Sequence, residues 1–328
     1  MAFQIKAKES VHDGILRNVR HQIEKVLGYL DAKTKSRKQD AWENEAIFEA
    51  RKSFKKVRAA LRLVREDLGE DMYHEENYCF RDAARPLTEV RDAHVLVETF
   101  GKLTEKSTDQ TNSAEYAKVH GTLFTNLKEV TQRVIREDKV FTALKEFATR
   151  ALVRLSNWTF DRDGWIAVES GIKRVYKEGH RALSRATENP SVENLHEWRK
   201  QAKYLWHQLQ LLDPIWSVSE KELGDQFHKL TRLLGEDHDL AVLRQTLAAD
   251  PLTYGGHLFL KGLFVLIDQQ RKDFQKQAFT LGRQLYKDSP KIFTSRIETY
   301  WNAWQMKSQE PTKSVGRSQG VVPIRVAR

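Results

Sequence analysis

The sequence has little of what marks secreted, disulfide-linked or membrane-spanning proteins. It contains one cysteine, Cys79, in 328 residues, so it can form neither an internal disulfide nor a thiolate zinc site. A reducing compartment is therefore expected. No apolar run approaches the length of a membrane-spanning helix, and the first residues, MAFQIKAKESVHDG, lack the apolar stretch of a signal peptide. These absences predict a cytoplasmic protein.

Proline and glycine are also scarce, with 7 and 16 residues, and the alternation typical of strands is missing. Apolar residues instead recur every three or four positions, as in ILRNVRHQIEKVLGYL and LFTNLKEVTQRVI, which predicts amphipathic helices. We expect an all-α protein. Its helices are predicted near residues 10–31, 44–67, 72–101, 112–137, 139–157, 166–187, 191–212, 218–249, 255–284 and 288–308, followed by a basic flexible tail at 309–328.

Negative charge is in deficit. The chain has 55 Lys and Arg against 45 Asp and Glu, for a formal net charge of +10. Such a balance favours a polyanionic partner, which could be nucleic acid, an anionic membrane or a phosphate polymer. It is equally compatible with a basic protein that has no such partner, so the charge total alone does not decide.

The chain contains a long, weak internal repeat. Placed under FRDAARPLTEVRDAHVL, which starts at Phe80, the segment FHKLTRLLGEDHDLAVL from Phe227 matches it in aromatic, basic, acidic and apolar positions. Upstream, RKSFKKVRAALRLV and RKQAKYLWHQLQLL match at nearly the same offset. We therefore predict two related helical halves, residues 1–158 and 159–308, each an antiparallel bundle of the four-helix type, related by a pseudo-twofold axis.

The segment RKSFKKVRAALRLVR, from Arg51 to Arg65, holds seven basic residues and no acid. Steps of four and three return to one helix face, so the basic residues form a stripe, with Phe54, Val57, Leu61 and Val64 on another side. A stripe of this kind is often only a solvated surface. Its counterpart in the second half also keeps cations and imidazoles, so we predict a cationic channel between the halves that binds a flexible polyanion.

The candidate binding residues come from matching positions of the two halves. The first half supplies Arg51, Lys52, Lys55, Arg58, Arg62, Arg81 and Arg85, and the second half supplies His196, Arg199, Lys200, Lys203, His207, His228 and Arg232. The first helix of each half adds Arg17, Arg20, Arg174 and Lys177. Two repeated acids, Asp92 and Asp239, are predicted to orient these basic side chains by ion pairing.

The segments LHEWRKQAKYL from Leu195 and LLGEDHDLAVL from Leu233 resemble motifs of the CHAD domain family, the conserved histidine alpha-helical domain. In the first half RKSFKKVRAALRL and VRDAHVL carry the resemblance, which spans residues 8–308. It implies two four-helix bundles that bind inorganic polyphosphate, without catalysis or cofactor, through basic residues and histidines between them. It also implies a stand-alone CHAD protein, since no segment suits a fused CYTH domain, with polyphosphate granules as a location and no membrane partner.

The sequence departs from the family pattern at two positions. Phe48 replaces, in the first half, the histidine that the second half keeps as His196, and Trp206 stands where the first half has Arg58. The first half is therefore predicted to contribute most of the charge, and the second half the histidines.

Two other functions stay open from the sequence. Aromatic residues among the basic segments, including Trp198, Tyr204 and Trp206, suit RNA or single-stranded DNA binding, although they also fit the apolar side of helices. The pair His238-Asp239 resembles the ligands of metal-dependent phosphohydrolases, but Arg91 in the matching slot of the first half suits an anion and not a metal. Weak nonspecific nucleic-acid binding is expected from charge alone.

Overall fold

In the computed structural model, residues 2–32, 39–105, 114–216 and 222–309 are described. These residues form twelve α-helices and contain no strand, which confirms the predicted all-α class. The helices are α1 (Val11–Asp31), α2 (Gln39–Leu63), α3 (Arg65–Leu68), α4 (Glu70–Ala84), α5 (Pro86–Glu105), α6 (Ala114–Thr131), α7 (Val140–Arg154), α8 (Trp165–Glu188), α9 (Val192–Leu211), α10 (Glu222–Ala249), α11 (His257–Leu285) and α12 (Pro290–Gln309). Apart from Gln309, the predicted tail at 309–328 lies outside the described residues.

Two predicted helices are broken in the structure. The helix expected at 72–101 is divided between α4 and α5, because Pro86 has no amide hydrogen to continue the helix and instead occupies the first position of α5. The helix expected at 44–67 ends at Leu63, and the short α3 follows. Gly69, whose φ of 82° suits glycine, then turns the chain into α4.

The helices of the two halves pack in the same order. In the first half α1 packs against α2 and α7, α2 against α4, and α5 against α6. In the second half α8 packs against α9 and α12, α9 against α10, and α10 against α11. The halves meet through the matching helices α2 and α9 and through α5 and α10. This order is compatible with an internal duplication, which stays a prediction.

Two hydrophobic cores hold the described residues together, and each contains residues of both sequence halves. The larger core includes Ile15, Phe54 and Trp198, all at most 1% exposed, from α1, α2 and α9. The smaller core joins α5 and α6 to α10 and α11 through residues such as Phe100 and Leu243. The domain boundary predicted at residue 158 stays a prediction. Both cores contain residues from either side of it, so the two halves share their hydrophobic interior.

Close packing also fixes the distance between α2 and α8. Gly171 of α8 lies against the end of α2, where an added Cβ would sit 1.9 Å from the carbonyl oxygen of Leu63. Only a residue without a side chain allows this approach. It holds the C-terminal end of α2 directly against the second half, so the basic face of α2 lies beside the junction between the halves.

Candidate anion-binding site

The predicted amphipathic division of α2 is present in the structure. Phe54, Val57 and Leu61 are at most 1% exposed and belong to the larger core. Arg51, Lys55 and Arg58 lie on another face of the helix and remain half-buried. The core contacts of α2 therefore fix the helix rotation and point its cations away from the apolar interior.

A pocket of about 200 Å³ lies against this basic face of α2, where α4 meets α5, and we call it the arginine pocket. Phe54, Ala84 and Thr88 belong to its lining, which contains no carboxylate. The other five lining residues are cations: Arg51, Lys55, Arg58, Arg81 and Arg85. All five cations were predicted from the sequence. The structure thus brings together basic residues of α2 with those around the α4–α5 break.

Neutral groups orient the arginines of α2. Arg51 Nη1 donates a hydrogen bond to Thr88 Oγ1 at 2.5 Å. Asn77 Oδ1 accepts from both Arg58 Nε, at 3.0 Å, and Arg62 Nη1, at 2.9 Å. The guanidinium of Arg62 also lies 4.0 Å from the ring centroid of Tyr204 on α9. Because these partners carry no negative charge, they fix the guanidinium groups without neutralising them.

The arginine pocket adjoins a second group of cations at the contact between α2 and α9, which we call the central cluster: Arg51, Lys55, Arg199 and Lys203. Burial, followed by repulsion from Arg51, Arg199 and Lys203, lowers the pKa of Lys55 to about 7. Burial and Arg199 lower the pKa of Lys203 to about 8. Arg51 and Lys55 therefore share a desolvated site with the predicted counterparts of the second half.

Sequence reasoning did not assign Arg91, although its charge lowers the pKa of both Arg51 and Lys55 in the central cluster. Arg91 comes from α5, and its Nη1 donates a hydrogen bond to Glu98 Oε2 at 3.0 Å. The sequence feature that could have identified Arg91 is its alignment with His238 in the internal repeat. Asn77, Thr88 and Tyr204 were also missed as partners of the basic residues, because each is brought to α2 by a different helix.

The two repeated acids lie beside the central cluster but do not form the predicted ion pairs. Within the described ranges, no basic side chain is within 4.0 Å of the carboxylate of Asp92 or Asp239. Burial raises the pKa of each acid, while Arg51 acts in the opposite direction on Asp92 and Arg199 on Asp239. Arg51 is held by Thr88 instead. The acids therefore act on the cluster by charge at longer range.

The second half differs from the first where an arginine pocket would be expected. Trp206 and His228 stack with ring centroids 4.3 Å apart, and Lys203 Nζ lies 5.0 Å from the Trp206 ring. Arg232 is exposed nearby on α10, where its charge lowers the pKa of His228 after the larger effect of burial. Trp206 and His228 stand where the first half has Arg58 and Arg81, so the second half has fewer cations at this place.

His207 corrects one part of the predicted binding set. Its side chain is buried with a relative exposure of 1%, and burial lowers its pKa well below the usual value. Its Nδ1 is 3.0 Å from Gln210 Oε1. Although His207 is one turn from Lys203 in the sequence, its ring is buried and therefore offers no accessible surface to an anion.

His196 lies at the edge of the central cluster beside a second histidine. The rings of His196 and His238 have centroids 4.5 Å apart, and the Nδ1 atom of each is buried without a hydrogen-bond partner. Burial, followed by the charge of His196, lowers the pKa of His238 to about 4. Over the described part of the chain, no group of three His, Cys, Asp or Glu residues is arranged to hold a metal ion.

Other predicted residues are paired with acids or lie apart from the central cluster. Lys52 and Lys200 are paired with Glu49, at 3.0 Å, and Glu197, at 2.6 Å. Arg17 is bound to Glu9 and Arg174 to Glu66. Two further predicted residues are exposed on α1 and α8, and no contact joins them to the central cluster in the described residues: Arg20 and Lys177.

Arg65 does not extend the stripe of α2 as its spacing predicts. It follows the break at Val64 and forms an ion pair with Glu70 at 2.5 Å, with its guanidinium 4.5 Å from the Tyr73 ring centroid. Among the predicted residues of the stripe, those without an ion pair in the described part of the chain are Arg51, Lys55, Arg58 and Arg62.

Fold and site together define an all-helical protein with an arginine pocket on α2, α4 and α5 and a desolvated group of cations where α2 meets α9. The CHAD domain family matches residues 19–248, most of the chain, and the chain belongs to that family. The solved structure of PptA from Streptomyces chartreusis has a similar fold, with a TM-score of 0.54 and 14% identity over 85% of this chain and 100% of that chain. No curated protein matches the sequence. In the described residues, every helix is too short or too polar to cross a membrane.

Proposed function

We propose that this protein binds inorganic polyphosphate, without catalysing its conversion, in the cleft formed by the arginine pocket and the central cluster. The observation that carries the proposal is the pocket lined by five cations and no carboxylate. Guanidinium groups donate paired hydrogen bonds that suit phosphate oxygens, and ammonium groups add point charges. Membership of the CHAD family supports the same ligand.

The electrostatics of the cleft favour an extended anion over a compact one. Lys55 and Lys203 have pKa values lowered to about 7 and about 8 because cations surround them in a desolvated site. A bound anion relieves this repulsion. Charge is spread from Arg85 in the arginine pocket to Lys203 on α9, so a chain with a negative charge on every unit can neutralise the whole length of the cleft.

Several aromatic rings of the cleft are covered. Arg62 lies over Tyr204, and His228 stacks on Trp206, so these rings offer less surface for base stacking than a nucleic-acid site requires. Phe48 and Tyr78 are exposed at the margin, with 48% and 46% of their surface accessible. Single-stranded nucleic acid is therefore the competing ligand that the experiment must separate from polyphosphate.

A protein that binds polyphosphate in this way would be held on polyphosphate granules in the cytoplasm, and this location is part of the proposal. Binding requires no bond to break, and the arginine pocket supplies cations that suit retention of an anion. The role of the cleft is therefore retention of the polymer or attachment to it.

The proposal is tested by calorimetric titration of long-chain polyphosphate at two salt concentrations. The variant Arg51→Ala/Lys55→Ala/Arg58→Ala removes three cations of the arginine pocket. Lys261→Ala/Lys272→Ala/Lys276→Ala removes the same charge from exposed positions of α11. Each charge-assisted contact contributes about 1.5–3 kcal/mol, so we expect the pocket variant to lose at least about 100-fold in affinity. The control should lose less than about threefold.

Competition with single-stranded DNA of equal total charge completes the test. We expect the DNA to displace little polyphosphate from the wild-type protein, because the arginine pocket contacts phosphate and not bases. If the pocket and control variants bind equally well, or if DNA displaces the polymer at equal charge, the cleft is a solvated basic surface and the proposal is wrong.

A further inference from the structure

The amine of Lys55 gives the arginine pocket a group that can react as well as carry charge. Four of its five cations are guanidinium groups, which are not nucleophiles at neutral pH, and the fifth is the amine of Lys55. The hydroxyl of Thr88 accepts the hydrogen bond of Arg51. Among the lining residues, Lys55 therefore presents a nitrogen that can form a covalent bond, beside arginines that can hold a phosphate.

Charged groups from three helices face this amine. Arg51 lies on α2 with Lys55, Arg91 comes from α5, and Arg199 and Lys203 come from α9. Asp92, also on α5, is an acidic group that interacts with Lys55. Burial and these cations lower the pKa of Lys55 to about 7. At pH 7 about half of the amine is then neutral, against roughly 0.03% for a lysine with the ordinary value. The neutral amine is the reactive form.

We propose that Lys55 is a modification site, whose amine accepts the acyl group of a small acyl phosphate bound in the arginine pocket. The proposal rests on the anion-binding function proposed above. A pocket of about 200 Å³ is smaller than the usual site for a drug-sized ligand, which fits a compact donor such as acetyl phosphate. The arginines would hold the phosphate group and leave the adjacent carbonyl carbon next to Lys55 Nζ.

The reaction is an acyl transfer that balances without a further reactant. The lone pair of Lys55 Nζ attacks the carbonyl carbon, a C–N bond forms, and the C–O bond to the phosphate breaks. Inorganic phosphate leaves with the bonding electron pair, stabilised by the arginines, and the nitrogen releases one proton. The product is an uncharged amide at Lys55.

Binding of the donor does not abolish the reactivity of the amine. The phosphate group of an acyl phosphate brings at most two negative charges, and Asp82, which pairs with Arg81 and Arg85 at 2.9 and 3.0 Å, brings one more. Asp92, which interacts with Lys55, adds a fourth. The four arginines of the pocket together with Arg91 and Arg199 exceed this total, so the amine still has cationic neighbours. A long polyphosphate brings many more charges and fills the pocket, so it should protect Lys55.

Acylation would also act back on the cleft. The amide removes a positive charge from the centre of the site and adds bulk to the pocket. We therefore expect the modified protein to bind polyphosphate more weakly, so that Lys55 would connect the supply of acyl phosphates to retention of the polymer.

The test follows acetylation of each lysine by mass spectrometry after incubation of the full-length wild-type protein with acetyl phosphate at pH 7. The gain in neutral amine is about 1000-fold. A Brønsted slope like that of thiols lowers the intrinsic reactivity by about 30-fold, which leaves a net gain of about 30-fold. We expect Lys55 to react at least tenfold faster than the exposed Lys261 and Lys272, with a rate that saturates and that polyphosphate suppresses.

A variant of two arginines distinguishes binding of the donor's phosphate group from the general reactivity of the Lys55 amine. Arg81→Gln/Arg85→Gln removes two exposed arginines of the pocket and should lower the acetyl phosphate rate at Lys55 at least fivefold. The rate with the neutral donor p-nitrophenyl acetate should change less than twofold. If Lys55 reacts no faster than Lys261, or if its rate rises linearly with acetyl phosphate and ignores polyphosphate, the inference is overturned.

Lys55→Arg distinguishes failure of this inference from failure of the proposed function. The variant lacks the amine, so treatment with acetyl phosphate should leave its own polyphosphate affinity unchanged, whereas the same treatment should weaken binding by the wild-type protein. Polyphosphate binding without selective acetylation would reject the modification site alone. Selective acetylation without polyphosphate binding would reject the proposed polymer and retain a small-anion pocket.

Discussion

The indole of Trp206 lies parallel to the imidazole of His228, with ring centroids 4.3 Å apart and an interplanar angle of 4°. In the repeat these residues stand at the positions of Arg58 and Arg81, which line the arginine pocket of the first half. The same two positions thus provide separated cations in one half and a closed aromatic stack in the other. The asymmetry of the cleft follows from this pair.

Replacing the indole by a guanidinium should restore charge to the second half. We expect Trp206→Arg to raise polyphosphate affinity about threefold to tenfold at low salt. The slope of log affinity against log salt should steepen by roughly 0.7, the value for one added contact to a single-stranded polyanion. Trp206→Gln is the matched control, since it opens the stack without adding charge. Equal affinities of the two variants, measured by calorimetry, would show that the second half does not contact the polymer.

Polyphosphate binding should take up protons. Lys55 and Lys203 have pKa values near 7 and 8 because of burial and neighbouring cations, and a bound polyanion favours their charged forms. We therefore expect affinity to fall between pH 6 and pH 9, with uptake of about one proton per protein at pH 8. Calorimetry in two buffers of different ionisation enthalpy measures this uptake. A pH-independent affinity in wild type would contradict the prediction.

The same two lysines predict the pH dependence of stability in the absence of ligand. Their folded pKa values lie below the unfolded value of 10.5, so between about pH 7 and pH 10 the unfolded chain binds more protons. The free energy of unfolding attributable to them therefore rises with pH through this window. We expect Lys55→Met/Lys203→Met to show a smaller rise in melting temperature between pH 7 and pH 9 than wild type. Parallel curves would count against lowered pKa values.

Sequence spacing was sufficient for residues that share one helix. Arg51, Lys55 and Arg58 were grouped because steps of four and three return to one helix face, and they do line one pocket. The apolar side of α2 was predicted on the same basis, and Phe54 is 1% exposed. Local periodicity therefore predicts the helical class and the basic face of α2.

Sequence spacing did not predict the contacts that residues of neighbouring helices make with α2. Arg91 reaches the central cluster from α5 and Tyr204 meets Arg62 from α9, and nothing in the sequence near α2 indicates either contact. His207 has the same spacing as the predicted binding residues, but its side chain is buried in the folded protein. The ion pairs expected of Asp92 and Asp239 fail for the same reason, because distances between helices depend on tertiary packing.

Replacing Asp239 tests whether the repeated acids orient the cations or only offset their positive charge. Its charge is the main attractive one acting on the buried Arg199, although no ion pair is formed. We expect Asp239→Asn to lower the free energy of unfolding by about 1 kcal/mol and, at pH 6, to raise polyphosphate affinity about twofold to tenfold. Thermal unfolding and calorimetry measure the two effects. A loss of affinity would show that Asp239 orients Arg199, as the sequence suggests.

His207 and Lys203 lie one turn apart on α9, and their side chains differ in burial. His207 is 1% exposed, with Nδ1 directed at Gln210, whereas Lys203 is a half-buried member of the central cluster. We expect Lys203→Gln to lower polyphosphate affinity at pH 6 by at least about tenfold, the effect of one charge-assisted contact. His207→Gln should change affinity less than about twofold while lowering the melting temperature, because it alters a buried side chain. Calorimetry and thermal unfolding of both variants separate binding from folding, and a large loss of affinity in His207→Gln with an unchanged melting temperature would place that imidazole in the cleft.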